Sequence, residues 1–307
     1  TVDALLASGH RVMGLDDLST GSMQNLGSAK ESDEFEFIQA DVLDSDTLDQ
    51  VCRQFAPHAV IHLAGLVSGE LAVEKPRRNF HLNIEATQLV LETARRNGVS
   101  RVVYASSADV YGDCNEALIH ENCPTRPIGL MGASRLASEN LMQGYAMSYG
   151  METISLRYFN VYGERQTASS PGAGVISNFA ERFARGEAVN IYGNGEQTRD
   201  FVSVRDVARA NVLAAINRNV ESGARNICTG FSRSVNDLVK IFQTFYPDSP
   251  MPVKQPERPA DILRSCGNTG YSGMTLGFEA YISLEDGLAD LVSVKNLSPF
   301  DTMTLPG

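Results

Sequence analysis

The opening of the chain constrains its fold more than any other stretch. Val2-Asp3-Ala4-Leu5-Leu6-Ala7-Ser8-Gly9 reads as the last turns of a helix stopped by a glycine, Arg11 to Leu15 as a buried strand, and Asp16-Asp17 as the acids that end it. A helix, a glycine and an acid-ended strand form the second half of a dinucleotide-binding βαβ unit. Neither a first strand nor a glycine fingerprint precedes the helix in this sequence, so the usual pyrophosphate cradle is not expected. That first strand would lie centrally in a doubly wound sheet. The strand Arg11 to Leu15 is therefore predicted to stand apart from Ala59 to Leu63 by about two strand spacings, roughly 9–10 Å, without pairing to it.

The segments that follow keep the alternation. Phe35 to Gln39 is a strand, followed by Asp41-Val42; a helix runs through Phe55, with Asp46 as its expected cap; and Ala59-Val60-Ile61-His62-Leu63 is a buried strand running into Ala64-Gly65. Apolar residues at Phe80, Ile84, Leu91 and Ala94 predict a helix over Asn79 to Asn97, ended by Gly98. Arg101 to Ala105 is the next strand and leads into Ser106-Ser107-Ala108-Asp109-Val110-Tyr111-Gly112, hydroxyls at a strand end where α/β sheets bind ligands. The pattern predicts an α/β protein with a Rossmann-like doubly wound parallel sheet lacking its first strand.

Two readings of Asp16 stand side by side. A carboxylate at the end of the second strand can accept both hydroxyls of an adenosine ribose, and without Arg or Lys in Asp17-Leu18-Ser19-Thr20-Gly21 it favours NAD over NADP. Equally, it is a strand-end acid that starts a polar turn. His62 reads as a satisfied core histidine. Gly267-Asn268-Thr269-Gly270-Tyr271-Ser272-Gly273 has G-x-x-G-x-x-G spacing but no strand before it and no ribose acid after it, and is read as a loop.

Composition excludes several classes. With 43% hydrophobic and 21% charged residues among 307, the chain is an ordinary globular protein. A net charge of −11 argues against a nucleic-acid or anionic-membrane surface, so an anionic ligand must be held by a few placed arginines. No apolar run approaches the roughly 18 residues of a membrane span. Cys52, Cys114, Cys123, Cys228 and Cys266 lack a C-x-x-C pair and the five histidines lack zinc-ligand spacing, so the reading is no metal and reduced thiols of a cytoplasmic protein. The chain begins with Thr1 rather than Met, which makes the lack of a signal peptide less informative than usual.

In the order they occur, five strings resemble the NAD-dependent epimerase/dehydratase family, and within it the UDP-hexose 4-epimerases. They are Asp16 to Gly21, His62 to Gly65, Ser106 to Gly112, Arg157-Tyr158-Phe159-Asn160-Val161-Tyr162-Gly163, and Tyr192-Gly193-Asn194-Gly195-Glu196-Gln197-Thr198-Arg199-Asp200-Phe201. The resemblance implies NAD as cofactor and a UDP-sugar as substrate. Asp16 with Asp17 would meet the adenosine ribose, Asp41 and Val42 the adenine, and Leu63, Ala64 and Gly65 would line the cofactor, with Asn83 supporting it. Ser107 would hydrogen-bond the reacting sugar hydroxyl, Tyr158 and Asn160 would sit near nicotinamide and substrate, Arg199 and Arg258 would grip the diphosphate, and Asp261 would reach the nucleoside. It also implies residues 1–168 as the cofactor domain, joined by segments near 200–230, and a smaller α/β substrate lobe over 169–292; residues 293–307 show no clear periodicity and are expected to form an irregular tail. The usual homodimer of the family would pack Asn79 to Asn97 and Met131 to Tyr149 into a four-helix bundle.

One stretch departs from that family. Where the 4-epimerases carry Tyr-x-x-x-Lys, this chain has Met131 and Arg135. A thioether is only a weak acceptor, and the guanidinium replaces a compact ammonium with a bulkier fork. Losing a positioned general base costs on the order of 100- to 10,000-fold. An unassisted Ser107 is too weak an acid to take its place. Tyr111 and Tyr158 are the conceivable stand-ins. The readings are then a 4-epimerase acting through transient oxidation at C4, or a catalytically silent homologue that binds a nucleotide sugar or a partner. Ala108, where the 4,6-dehydratases have an acid, disfavours their elimination chemistry.

Overall fold

The computed structural model describes residues 1–170, 172–257 and 262–296. Strands and helices alternate from the start. Helix α1 (Val2–Ala7) turns through Gly9, whose φ of +78° suits a residue without a Cβ, into β1 (Val12–Asp16). Then come β2 (Phe35–Gln39), α2 (Ser45–Phe55) and β3 (Ala59–His62). The cap of α2 is Asp44 and not Asp46: Asp44 has extended backbone angles and accepts from Thr47 N at 3.1 Å, while Asp46 lies inside the first turn.

The helix expected over Asn79 to Asn97 starts earlier and is not uniform. A short α3 (Gly69–Glu74) precedes α4 (Pro76–Phe80), which opens on a proline whose missing N–H is no loss at a helix start. A π turn over His81–Glu85 joins it to α5 (Ala86–Arg96), and Gly98 at φ +73° ends the run. Next are β4 (Arg101–Ser107), α6 (Leu130–Tyr149) and β5 (Glu152–Tyr158).

Shorter strands mark the remainder. These are β6 (Asn160–Tyr162), α7 (Val175–Ala184), β7 (Asn190–Tyr192), β8 (Thr198–Ser203), α8 (Val204–Ile216) and β9 (Gly223–Ile227). They are followed by β10 (Ser232–Ser234), α9 (Val235–Phe245), β11 (Val253–Gln255), α10 (Gly270–Leu276) and α11 (Leu284–Asn296). Residues 293–296 thus continue a helix instead of starting an irregular tail, and 297–307 lie outside the described residues. Gly270 to Gly273 open α10, so only the first part of the glycine-spaced segment is a loop.

The main sheet has the order β3-β4-β5-β9, all parallel. A separate parallel pair holds β1 and β2, and among the described residues no ladder joins β1 to β3, as the sequence predicts. Strand β4 is covered on both faces, following the period-2 alternation of a strand. Val102 and Tyr104 point into an apolar cluster with Leu91 and Met142, whereas Val103 joins Leu156, Val207 and Ile227 on the other side. A third cluster is built by α7, α9 and α11 around Phe179, Phe183, Leu238, Phe242 and Leu288, with the Phe183 and Phe242 rings stacked at 5.2 Å. Each such buried side chain contributes roughly 1.5–3 kcal/mol.

Candidate active site

Because the strands run parallel, their carboxyl ends converge. The last rung of the β4–β5 ladder pairs Ser107 with Tyr158. Below it, Ser106 Oγ donates to Glu139, and Arg157 grips the same carboxylate with two nitrogens, Nε to Oε1 at 3.0 Å and Nη2 to Oε2 at 2.7 Å. Arg157 Nη1 also donates to Tyr111 OH at 2.8 Å, and that hydroxyl donates to Asn226 Oδ1 at 2.7 Å. Both ions of the Arg157–Glu139 pair are buried and fully partnered, the condition under which a buried pair holds its place instead of opposing the fold. This floor fixes the end of β4.

Above it is a cavity of about 330 Å³. It is lined by Ser107 and Asp109 from the end of β4, Met131 from α6, Tyr158 and Asn160 from β5 and β6, and Arg199 from β8. Five residues singled out in the sequence are thus brought together: Ser107, Met131, Tyr158, Asn160 and Arg199. Gly132 lets this happen. A Cβ there would lie 2.5 Å from the Asp109 carbonyl oxygen, so only glycine seats the first turn of α6 against the turn after Ser107. Ser107 Oγ accepts from Asp109 N at 3.1 Å. Burial raises the Asp109 pKa above the usual carboxylate value, against the opposing pull of the nearby Ser107 hydroxyl and of the Arg199 and Arg135 charges.

Neither tyrosine suits the role of base. Tyr111 lies in the floor with its hydroxyl between Arg157 and Asn226, and Tyr158 OH donates to Asn211 Oδ1 at 2.7 Å. Burial pushes both phenols well above their ordinary pKa.

Arg135 turns inward. Its side chain is buried, with Nη1 donating to Ala105 O at 2.9 Å and Tyr104 OH at 3.3 Å, and Nη2 to Leu66 O at 3.4 Å. It ties β4 to the loop after β3. Asn83, in the π turn, grips the same loop: its Oδ1 accepts from Leu66 N at 2.8 Å and its Nδ2 donates to Leu66 O, Asn79 and Ser134. A Cβ on Gly65 would come within 2.7 Å of Asn83 Oδ1 and 2.9 Å of Arg135 Nη2, so a side chain there would displace the groups that grip this loop. Asn83 is fully buried and reaches a ligand only through this loop. His62 is the satisfied core histidine expected: Nε2 meets Thr87 Oγ1 at 3.2 Å, and burial, helped by the Arg135 charge, lowers its pKa to about 3.

The remaining residues lie at the carboxyl ends of β1, β2 and β3. Asp16 is exposed, its Oδ1 accepting from Leu18 N at 2.7 Å; Asp17 caps Ser19 N and Asp41 caps Leu43 N in the same manner, each at 2.9 Å. The Val42 side chain belongs to the core, leaving its backbone for any ligand contact. Leu63 is 43% exposed and Ala64 beside it is exposed too, an apolar ledge at a strand end. Exposed acceptors at one end of this row, a small-residue ledge in the middle and hydroxyls at Ser107 and Tyr158 fit the two ribose ends of a dinucleotide. Arg258 and Asp261 lie outside the described residues. Among the described residues no cluster of three or more His, Cys, Asp or Glu could hold a metal ion, and no helix is long and apolar enough to cross a membrane.

Sequence reasoning assigned no role to Asp109, Gly132 or the Glu139–Arg157 pair. A signal existed for two of them. Asp109 stands two residues after Ser107, the spacing at which a strand-end hydroxyl meets the next turn, and Glu139 follows Arg135 by one helical turn.

The chain matches the NAD dependent epimerase/dehydratase family over residues 1–228 and belongs to it. Its relatives include the UDP-glucose 4-epimerase of Mycolicibacterium smegmatis, 35% identical over 95% of this chain and 92% of that one, and a putative UDP-glucose 4-epimerase of Methanocaldococcus jannaschii, 34% identical over 96% and 94%. The UDP-glucose 4-epimerase of Thermotoga maritima, solved with UDP-glucose, superposes with a TM-score of 0.90 at 32% identity, covering 96% of this chain and 94% of that one. A Thermus thermophilus UDP-glucose 4-epimerase complex with NAD gives 0.88 at 32% identity, over 97% and 94%.

Proposed function

We propose that this chain is an NAD-dependent UDP-hexose 4-epimerase that transiently oxidises the sugar at C4. The observation that carries the reading is the cavity in which Ser107, Tyr158, Asn160 and Arg199 meet at the carboxyl ends of the parallel strands. NAD, when bound, supplies the hydride acceptor. Asp16 with Asp17 would hold the adenosine ribose, Asp41 and the Val42 backbone the adenine, and Leu63, Ala64 and Gly65 the stem of the cofactor. Asn83 and Arg135 keep that loop in place from below. Ser107 would orient the reacting hydroxyl, with Asn160 and Tyr158 against the ring. Arg199, with Arg258, would present planar donor forks to the diphosphate, and Asp261 would reach the nucleoside.

In this reading residues 1–168 and the segments near 200–230 carry the cofactor, and 169–292 carry the sugar. The separate core of α7, α9 and α11 supports that division. A homodimer through the faces of α4, α5 and α6 fits the exposure of Phe80 at the end of α4 and of Met147 and Tyr149 on α6, and a reducing cytoplasm suits five free cysteines.

Incubation with NAD and either UDP-glucose or UDP-N-acetylglucosamine, read by NMR of the sugar, tests the activity. The expected result is the C4 epimer, lost in Ser107→Ala. One observation favours a silent homologue instead: the Arg135 fork is engaged with Leu66, Tyr104 and Ala105, and Met131 brings no ionisable group. Calorimetric binding of a UDP-sugar with no epimer formed, and no gain from Met131→Tyr with Arg135→Lys, would establish that second reading.

A further inference from the structure

Neighbouring residues of a strand face opposite ways. On β8, Arg199 lines the cavity, whereas Asp200 is fully buried. A carboxylate taken out of water needs its acceptor sites filled. Asp200 Oδ1 accepts from Thr229 N at 2.8 Å and from Thr229 Oγ1 at 2.7 Å. Its Oδ2 accepts from Gly230 N at 2.9 Å and Gly267 N at 3.1 Å, with a weaker contact from Cys266 Sγ at 3.8 Å. The donors belong to two separate segments, the turn after β9 and the stretch before α10, so one side chain joins both to β8.

The second of those segments reaches the cavity, where Ile262 and Ser265 stand beside Arg199. Thr198 N donates to Leu263 O at 2.9 Å, and Thr198 O accepts both Ser265 N at 3.2 Å and Arg199 Nη1 at 2.9 Å. The guanidinium fork and this part of the wall therefore rest on one carbonyl. Two residues further on, Gly267 is pinned. Its amide enters the Asp200 carboxylate, and a Cβ on it would lie 2.4 Å from Cys228 Sγ and 2.8 Å from the Phe159 ring. On either side of it, Cys266 O accepts from Ile119 N and Asn268 N donates to Ile119 O, each at 2.8 Å.

We propose that Asp200 is a positioning residue of the UDP-sugar site: without touching the ligand, it locks Thr229 and Gly267 to β8 and so sets where Arg199 and the wall over 262–265 meet a diphosphate. This rests on the 4-epimerase reading only in placing the diphosphate at Arg199. An arginine binds phosphate oxygens through a planar fork, so a displaced fork loses hydrogen bonds and keeps only charge attraction. Each Asp200 oxygen faces two donors. Asp200→Asn therefore sets an amide N–H against N–H or O–H groups whichever way it is turned, and one of the two segments comes loose.

Calorimetric titration of the full chain with UDP and, separately, with NAD tests the role. Asp200→Asn should weaken UDP binding roughly 10- to 100-fold, the scale of hydrogen bonds to a charged group, and leave NAD binding unchanged. Thr229→Val removes one hydroxyl donor from the carboxylate and should weaken UDP binding about 3- to 10-fold, again without effect on NAD, while Thr229→Ser restores it. In an Arg199→Ala background the Thr229→Val loss should shrink, because the group being positioned is gone. If Asp200→Asn does not fold, the Thr229 variants decide alone. UDP binding by Thr229→Val equal to wild type, an equal loss of UDP and NAD affinity, or a Thr229→Val loss that persists in full without Arg199 overturns the role of Asp200 and leaves the 4-epimerase reading standing. A wild-type chain that binds NAD but no UDP brings down both.

Discussion

Strands β1 and β4 are both parallel strands that end in residues assigned to a ligand, yet they are held very differently. Every residue of β4 from Arg101 to Ser106 is buried, whereas β1 and β2 between them bury only Val12. The cause is coverage. Strand β4 has a neighbour on each edge and helices on each face, while β1 has β2 on one edge and α1 beside it. A two-stranded unit with little apolar burial is marginal by itself. The acids proposed to bind adenosine therefore stand on the lightly anchored pair, and the hydroxyls proposed to do chemistry stand on the rigid sheet. Geometry is demanding where a proton must move and forgiving where two hydroxyls are held.

The largest test of this contrast uses two ion pairs. In the floor of the cavity, Glu139→Ala leaves Arg157 buried without its carboxylate and should lower stability by about 3–5 kcal/mol in urea unfolding. On the β1–β2 pair, Arg11 and Glu36 meet at 3.4 Å with both side chains more than half exposed, and Glu36→Ala should cost no more than about 1 kcal/mol. Equal costs would erase the difference between the two regions.

What the sequence made legible follows the same division. Strands and helices were readable because each rests on local pattern, apolar runs for β3 and β4 and glycines for the ends of α1 and α5. Ser107, Met131 and Arg199 were readable because they sit in short motifs. The inward turn of Arg135 was not, since its partners Leu66 and Ala105 are 69 and 30 residues away. The floor was invisible for the same reason: Tyr111 and Asn226 are 115 residues apart, and no spacing predicts their bond. Asp46 and Asp44 were both plausible caps, and only backbone angles separate them.

A second contrast concerns pH. His62, in β3, has its folded pKa pushed down to about 3 by burial and by Arg135, below the ordinary 6.5 of the unfolded chain. The unfolded state therefore binds the proton first. The stability from keeping His62 neutral is complete above about pH 6.5 and is lost as pH falls toward the folded value, at up to about 1.4 kcal/mol per pH unit. Between pH 6.5 and 4.5 the wild type should lose roughly 2–3 kcal/mol more than His62→Gln when urea midpoints are compared. Parallel curves for the two proteins would mean that the burial of His62 does not control acid stability.

A smaller effect is expected at Asp16, and it separates binding from folding most cleanly. Its Oδ1 holds the Leu18 amide at 2.7 Å, which steadies Leu18 at a φ of +59°, and its carboxylate is the acceptor we propose for a ribose. Asp16→Ala removes both functions, while Asp16→Asn keeps a turn acceptor and removes the charge. Calorimetric titration with NAD should show about a tenfold weakening for Asp16→Ala, near 1.4 kcal/mol, and a smaller one for Asp16→Asn. The urea midpoint of both variants should stay close to wild type, since the β1–β2 pair contributes little to the core. An Asp16→Ala chain that loses stability on the scale of Glu139→Ala would show that the β1 end is an anchored part of the fold, and the division between a rigid chemical end and a tolerant binding end would fail there.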